Sequence, residues 1–404
     1  MKFVLFLFLL LLTFSHADTT TDLQIKNAIN KTLSTKEAER LFDLYTNGIK
    51  EKVPTLNLKT DFGAKGDGKT NDTAAFSAAA ERINKLGKGK LFIPKGTYIV
   101  GRQFHIDNQF PYYQNDTIFE VDYVNNLIIE GEKGTVIKMA DNMRFGSFDK
   151  YTGDKYDPFI FSFVKKEFWN KEYRATPGHI FNIQNSENII IRNLEINGNL
   201  EKYIIGGQFG DTGYQADGTG LRLRGNKYIV VDNIYTHHNP LDGFYIAAPK
   251  ATFYDDQSEN DPHLVTKLIS EYNGRQGFSW TGGKGIIMLN SKLNHTGKSK
   301  ISSKPGNGID IEPQSSTCFN GYFENIEVTN NTGAGIGHGG NLLRRNIEFK
   351  NAYIRGTTNY PIYLSGEKIQ FTNCKIYGSI GKPRLFSSNP SSTTIFSNCI
   401  FENK

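Results

Sequence analysis

Apolar and polar residues alternate in a short phrase that returns repeatedly through the second half of the chain. It reads Gly220-Leu221-Arg222-Leu223-Arg224, then Gly243-Phe244-Tyr245-Ile246, Gly277-Phe278-Ser279-Trp280, Gly308-Ile309-Asp310-Ile311-Glu312, Gly335-Ile336-Gly337-His338 and Pro361-Ile362-Tyr363-Leu364. The first residues of these phrases lie 23, 34, 31, 27 and 26 positions apart. A unit of that length, with apolar residues at fixed alternate places, marks a solenoid. Side chains along a strand alternate faces, so the residues one and three places after the glycine should enter the core. The residues two and four places after it should then form one outward column: Arg222, Arg224, Tyr245, Ser279, Asp310, Glu312 and Tyr363. With rungs about 4.8 Å apart, that column is a compact polar strip and the candidate site.

A second column consists of asparagines. Asn193, Asn233, Asn290, Asn325, Asn351, Asn373 and Asn398 stand in phrases of one shape. Stacked at a turn, they are expected to share side-chain hydrogen bonds and satisfy amides that a solenoid core cannot hydrate. These seven phrases, with strands near Leu91 and Leu127, imply roughly ten coils. Helical periodicity is confined to the N-terminal part. Residues 20–52 read as a helical lead-in expected to pack against the solenoid's end. Ala74–Ile83 read as a helix capped by Asp72 or Thr73, followed by strand, turn and strand over Lys90–Tyr98.

The stretch Asp61-Phe62-Gly63-Ala64-Lys65-Gly66-Asp67-Gly68, continued by Thr70-Asn71-Asp72-Thr73 and by Lys90–Tyr98, resembles the opening of the pectate-lyase-like β-helix enzymes. That superfamily includes polygalacturonases, rhamnogalacturonases, polysaccharide lyases, mannuronan C5-epimerases and phage depolymerases. The resemblance implies an all-β fold, a right-handed parallel β-helix whose open N-terminal edge is covered by a helical cap. The same loop does not read as a phosphate cradle, because no Gly-Lys-Ser/Thr follows it. The expected organisation is a signal peptide over 1–17, the helical lead-in over 18–55 and the β-helix over 56–404.

Composition agrees with short strands and many turns: 40 Gly, 29 Phe and 20 Tyr. The formal charge of +6 is mild, and no Lys/Arg run is interleaved with aromatics, which argues against a nucleic-acid partner. Lys2, a Leu/Phe run and Ser15-His16-Ala17 read as a secretory signal peptide. No second apolar run of eighteen residues follows, so the mature chain is expected to lack a membrane span and to be secreted or periplasmic. Three cysteines cannot all pair; Cys374 and Cys399 occupy matching phrases and are expected to stack as buried thiols, with a disulfide as the alternative. No Cys/His spacing suggests a metal site. Insertions over 141–178 and 199–217, rich in aromatics, and the acidic 247–263 interrupt the coils, where they would either build a binding face or pack onto the barrel.

Asp310 and Glu312 form the only rung with two acids. Placed two apart on a strand, their carboxylates share a face with backbones roughly 6–7 Å apart. Such a pair can divide into acid and base or nucleophile, as glycoside hydrolysis requires; otherwise it is a solvated face or a calcium ligand pair. Asp242, before Gly243, is a third candidate catalytic group, although Asp-Gly is also a common turn former. Arg222 and Arg224 could grip carboxylates or sulfates of an acidic glycan. Tyr245, Arg275, Gln276, His238 and His338 complete the candidate substrate contacts, although the inward parity of His338 predicts a buried, hydrogen-bonded imidazole.

The resemblance cuts both ways at this site. Gly337-His338-Gly339, one rung after Asp310, is similar to the Gly-His-Gly rung of polygalacturonases, but their paired-Asp rung is absent and only Arg344 and Arg345 stand near the place of their Arg-Ile-Lys phrase. His238-Asn239-Pro240-Leu241-Asp242-Gly243-Phe244 looks like alginate epimerases, yet Arg222 and Arg224 occupy the rung where those carry Asp-Pro-His-Glu, and Asp261-Pro262-His263 lies in an insertion. The reading is an exported enzyme that hydrolyses an acidic polysaccharide without a cofactor. The alternatives are a lyase, whose uronate carboxylate would be neutralised by Arg or Ca²⁺, and a non-catalytic glycan-binding surface protein.

Overall fold

The computed structural model describes residues 21–107, 111–155, 176–206, 216–249, 252–314, 316–340, 343–380 and 394–402. The signal-peptide reading, and the insertion residues Tyr156, Phe159, Phe168, Trp169, Tyr173, Asp211 and Tyr214, lie outside them.

The rungs form a right-handed parallel β-helix with three columns of strands. One column runs from Thr55–Asn57 and Gly89–Ile93 to Ile395–Ser397, with every neighbouring pair parallel and eleven strands deep among the described residues. The second runs beside it from Gly96–Val100 to Ile400–Glu402. The third contains the repeated phrase: Phe119–Asp122, Phe181–Gln184, Leu221–Arg224, Asp242–Ala247, Gln276–Trp280, Ile309–Ile311 and Ile336–His338. In its register Leu223 faces Ile246, Ile246 faces Trp280 and Trp280 faces Ile311. All four are buried, and each apolar side chain so removed from water contributes about 1.5–3 kcal/mol.

The asparagine column is present, but on the surface. All seven residues have φ between 51° and 60°, the left-handed conformation that Asn tolerates better than other side-chain-bearing residues. Asn233 donates to Asn193 at 2.8 Å, Asn325 to Asn290 at 3.1 Å and Asn351 to Asn325 at 3.1 Å. Lys267 takes the same conformation at the rung between Asn233 and Asn290. These turns are exposed or half-exposed, so the column sets the corner between two strands rather than hydrating the interior.

The helix Thr73–Leu86 covers the N-terminal end, burying Phe76 edge-on against Tyr98 and Phe181. Asp72 occupies its N-cap position without capping it: the carboxylate accepts from the Lys65 and Gly66 amides at 2.7 and 3.0 Å and pins the glycine-rich loop. Asn71 accepts from the Thr73 amide instead. The lead-in (helical over 21–32 and over Thr35–Asn47) departs from expectation by lying along the flank. Ile190, Val230, Leu264, Ile287 and Tyr322 stand in register on successive rungs and form an outward apolar stripe. Ile25, Ile29, Leu41 and Leu44 cover that stripe. The end was already occupied by the other helix, and an uncovered apolar stripe of this length would be costly.

Cys374 is buried, Cys399 half-buried, and both are free thiols. No helix among the described residues is long and apolar enough to cross a membrane.

Candidate active site

Three rungs of the third column bring the acids together. Asp242 opens one strand, in register with Gln276 on the next, and Ser279 on that strand is in register with Asp310. The Arg275 guanidinium lies between the carboxylates: Nη2 donates to Glu312 Oε2 at 3.1 Å, while Nη1 stands 3.8 Å from Asp242 Oδ2. Gln276 Nε2 donates to one oxygen of Asp310 at 2.8 Å, and Asn307 Nδ2 to the other at 3.1 Å. Both amides have fixed orientations, because Gln276 Oε1 accepts from the Asn307 amide and Asn307 Oδ1 from the Ala334 amide.

The strip is not the open surface that strand parity suggests. Asp242 is fully buried, Asp310 is 2% exposed and Ser279 is sealed, because Arg275, Gln276 and Asn307 close over the rungs. Glu312 is the carboxylate that reaches the groove, with 19% of its side chain exposed. Burial pushes Asp242 up to about 7, with Asp310 and Glu312 adding to the rise and Arg275 opposing it. Neither Asp242 oxygen has a hydrogen-bond partner; Ser279 pulls it slightly toward the ionised form from outside bonding geometry. Burial also raises Asp310, reinforced by Glu312 and opposed by Arg275 and Asn307. For Arg275, burial works against the charge, but Asp242, Asp310 and Glu312 outweigh it and hold the guanidinium above its ordinary value.

Glycines shape the floor. A Cβ on Gly337 would meet Asn307 Nδ2 at 2.4 Å, and one on Gly339 would meet Glu312 Oε1 at 2.6 Å. His338 between them is half-buried rather than buried. Its Nδ1 accepts from Arg344 Nη2 at 2.8 Å, Ser365 lies 3.4 Å from Nε2, and its ring stacks on Tyr363 at 5.0 Å. Since Arg344 can only donate, the imidazole is the tautomer protonated at Nε2. Burial holds Arg344 below its ordinary value.

The remaining candidates separate. Arg275 and Gln276, expected as substrate contacts, are committed to carboxylates. Arg222 is half-buried, donates to Asn182 Oδ1 at 3.0 Å and lies 5.5 Å from the centre of the Tyr245 ring; burial lowers it. Arg224 is half-exposed on the same strand. Tyr245 accepts from Thr281 Oγ1 at 2.8 Å. His238 lies at the preceding turn, away from the acids, where its ring stacks on Tyr272 and its Nδ1 meets His237 Nδ1 at 2.7 Å. Among the insertions, Phe145, Phe148 and Tyr203 pack inward while Tyr151 is exposed. The acidic segment is tied down by Lys284, whose Nζ donates to the Asp255 and Ser258 carbonyls. Asn307 was missed, and Arg344 was singled out only as a loose counterpart of the polygalacturonase Arg-Ile-Lys phrase. The signal for Asn307 was available: Asp242, Gln276 and Asn307 each directly precede a rung glycine. Among the described residues no three His, Cys, Asp or Glu side chains converge as a metal site.

Residues 56–156 match the family described as "Rhamnogalacturonase A/epimerase, pectate lyase-like". The matched stretch is about a quarter of the chain and holds the N-terminal cap and the first rungs of the β-helix. It is 55% identical over 44 residues to "Alginate lyase 7" of Azotobacter vinelandii, a match covering 11% of this chain and 5% of that protein. It is 32% identical over 92 residues to the SPbeta prophage-derived uncharacterized protein YomE of Bacillus subtilis (strain 168), covering 23% and 13% respectively. The matched segments are thus small parts of these relatives. Solved structures of similar shape include the mannuronan C-5 epimerase AlgE4 A-module of Azotobacter vinelandii, at 16% identity and a TM-score of 0.47 over 86% of this chain and 88% of that one. A hyperthermoactive exopolygalacturonase from Thermotoga maritima aligns at 14% identity and a TM-score of 0.42 over 94% and 96%.

Proposed function

We propose that the chain is an exported enzyme that hydrolyses glycosidic bonds of an acidic polysaccharide. The observation that carries this reading is the pairing of Asp310 and Glu312 in unlike surroundings. Asp310 is buried and holds a proton to higher pH than an ordinary aspartate; Glu312 borders the groove with Arg275 as counter-ion. Two carboxyl groups in such unlike surroundings divide the work of acid and base. Asp310 supplies the proton to the leaving oxygen, and Glu312 activates water or attacks the sugar. Arg222, Arg224 and Tyr245 bind the substrate three and two rungs away, roughly 10–14 Å along the column. The half-buried Arg222, with an amide oxygen and a ring face as its recorded partners, is suited to a sugar carboxylate or sulfate.

A second reading, elimination on a polyuronide, is favoured by the short match to a protein called an alginate lyase. A panel of polyuronides and sulfated glycans separates the two. New reducing ends without ultraviolet absorbance, lost in Asp310→Asn and Glu312→Gln, support hydrolysis. Absorbance of an unsaturated product that survives in both variants sinks it.

A further inference from the structure

Arg275 is poised between two carboxylates but satisfies only one. It bonds Glu312 at 3.1 Å and stops 3.8 Å short of Asp242, beyond hydrogen-bond reach. Asp242 is fully buried with both oxygens unpartnered, and Arg275 Nε is also unpartnered. A buried carboxylate without donors normally costs several kcal/mol, so its retention here calls for a reason. The gap that separates Nη1 from Asp242 is smaller than 1 Å beyond a good hydrogen bond, and a small rotation of the guanidinium closes it. Nη1 and Nη2 of one rigid guanidinium thus face the two carboxylates at unequal distances.

We propose that Arg275 is a movable counter-ion that passes from Glu312 to Asp242 when Glu312 engages the substrate, making Asp242 a positioning residue and not an acid or base. Without Asp242, a guanidinium only 11% exposed would keep only Asp310, whose oxygens are already bonded to Gln276 and Asn307, at the moment Glu312 turns to the sugar. With Asp242, Glu312 is released while the cation stays anchored. The arrangement rests on the carboxylate reading given above, but its test needs no substrate.

The experiment is the crystal structure of Glu312→Ala at neutral pH. The expected result is Arg275 Nη1 within about 3.2 Å of Asp242. An unchanged gap, or a guanidinium that moves to Asp310, overturns the proposal while leaving the hydrolase reading intact. Thermal melts of Glu312→Ala, Asp242→Asn and the double variant give a second readout. In the double variant both carboxylates within 4 Å of Arg275 are gone and only Asp310 remains, so its loss of melting temperature should exceed the sum of the single losses. Additive losses would refute the hand-over.

Discussion

Replacing Gly337 by alanine should damage the site without touching a carboxylate. The new Cβ would lie 2.4 Å from Asn307 Nδ2 and 2.8 Å from its Cγ, so Asn307 must move. It cannot do so cheaply, being buried and bonded to Gln276, Asp310 and Ala334. The charge-assisted bond to Asp310 contributes about 1.5–3 kcal/mol, and stranding the Ala334 amide adds about 1–3 kcal/mol. A loss of roughly 2.5–6 kcal/mol follows. Gly339→Ala meets the mobile end of Glu312 instead and should cost less than half of that in stability while disturbing the carboxylate. Urea unfolding followed by tryptophan fluorescence suits the test, because Trp280 is buried on the strand that carries Gln276. A Gly337→Ala variant within about 0.5 kcal/mol of the parent, the range of neutral surface changes, would refute this packing of Asn307.

Three further outcomes are expected. Asp242 titrates near 7 in the folded chain and near 4 unfolded; between those values the folded state holds the extra proton, so its contribution makes stability fall as pH rises from about 4 to about 7 and then level. Urea midpoints at pH 5 and pH 8 should therefore differ less in Asp242→Asn than in the parent, and parallel shifts would contradict this. Asn325→Ala must hold φ 54° and should lose about 1–2 kcal/mol from backbone strain on top of its two ladder bonds, whereas Asn325→Gly should lose only those two bonds; equal losses in unfolding titrations would contradict the left-handed corner. Leu41→Ala empties a fully buried position over the flank stripe and should cost about 2–5 kcal/mol of helix docking, seen as faster proteolysis near residues 48–52.

Alternation of side chains made the rungs, the core residues and the pairing of Asp310 with Glu312 legible in the sequence. Period-two parity cannot report what neighbouring rungs lay over a position, so the burial of Asp310 and Ser279 was hidden. It also treated Arg275 and Gln276 as free to meet a substrate, because partners one rung away in space lie 34 to 37 residues away in sequence. Asn307 stands just outside the alternating phrase, directly before Gly308, so the parity of that phrase did not reach it. The flank position of the lead-in followed from an apolar stripe, Ile190 to Tyr322, whose members align only once the register is known.

The most direct test of hydrolysis by Asp310 and Glu312 is digestion of a cleaved polyuronide or sulfated glycan in ¹⁸O-labelled water, with products read by mass spectrometry. One solvent oxygen at each new reducing end, absent from products of Asp310→Asn and Glu312→Gln, is the predicted result. Cleavage without label, giving products lighter by one water, would contradict it and assign the chain to elimination.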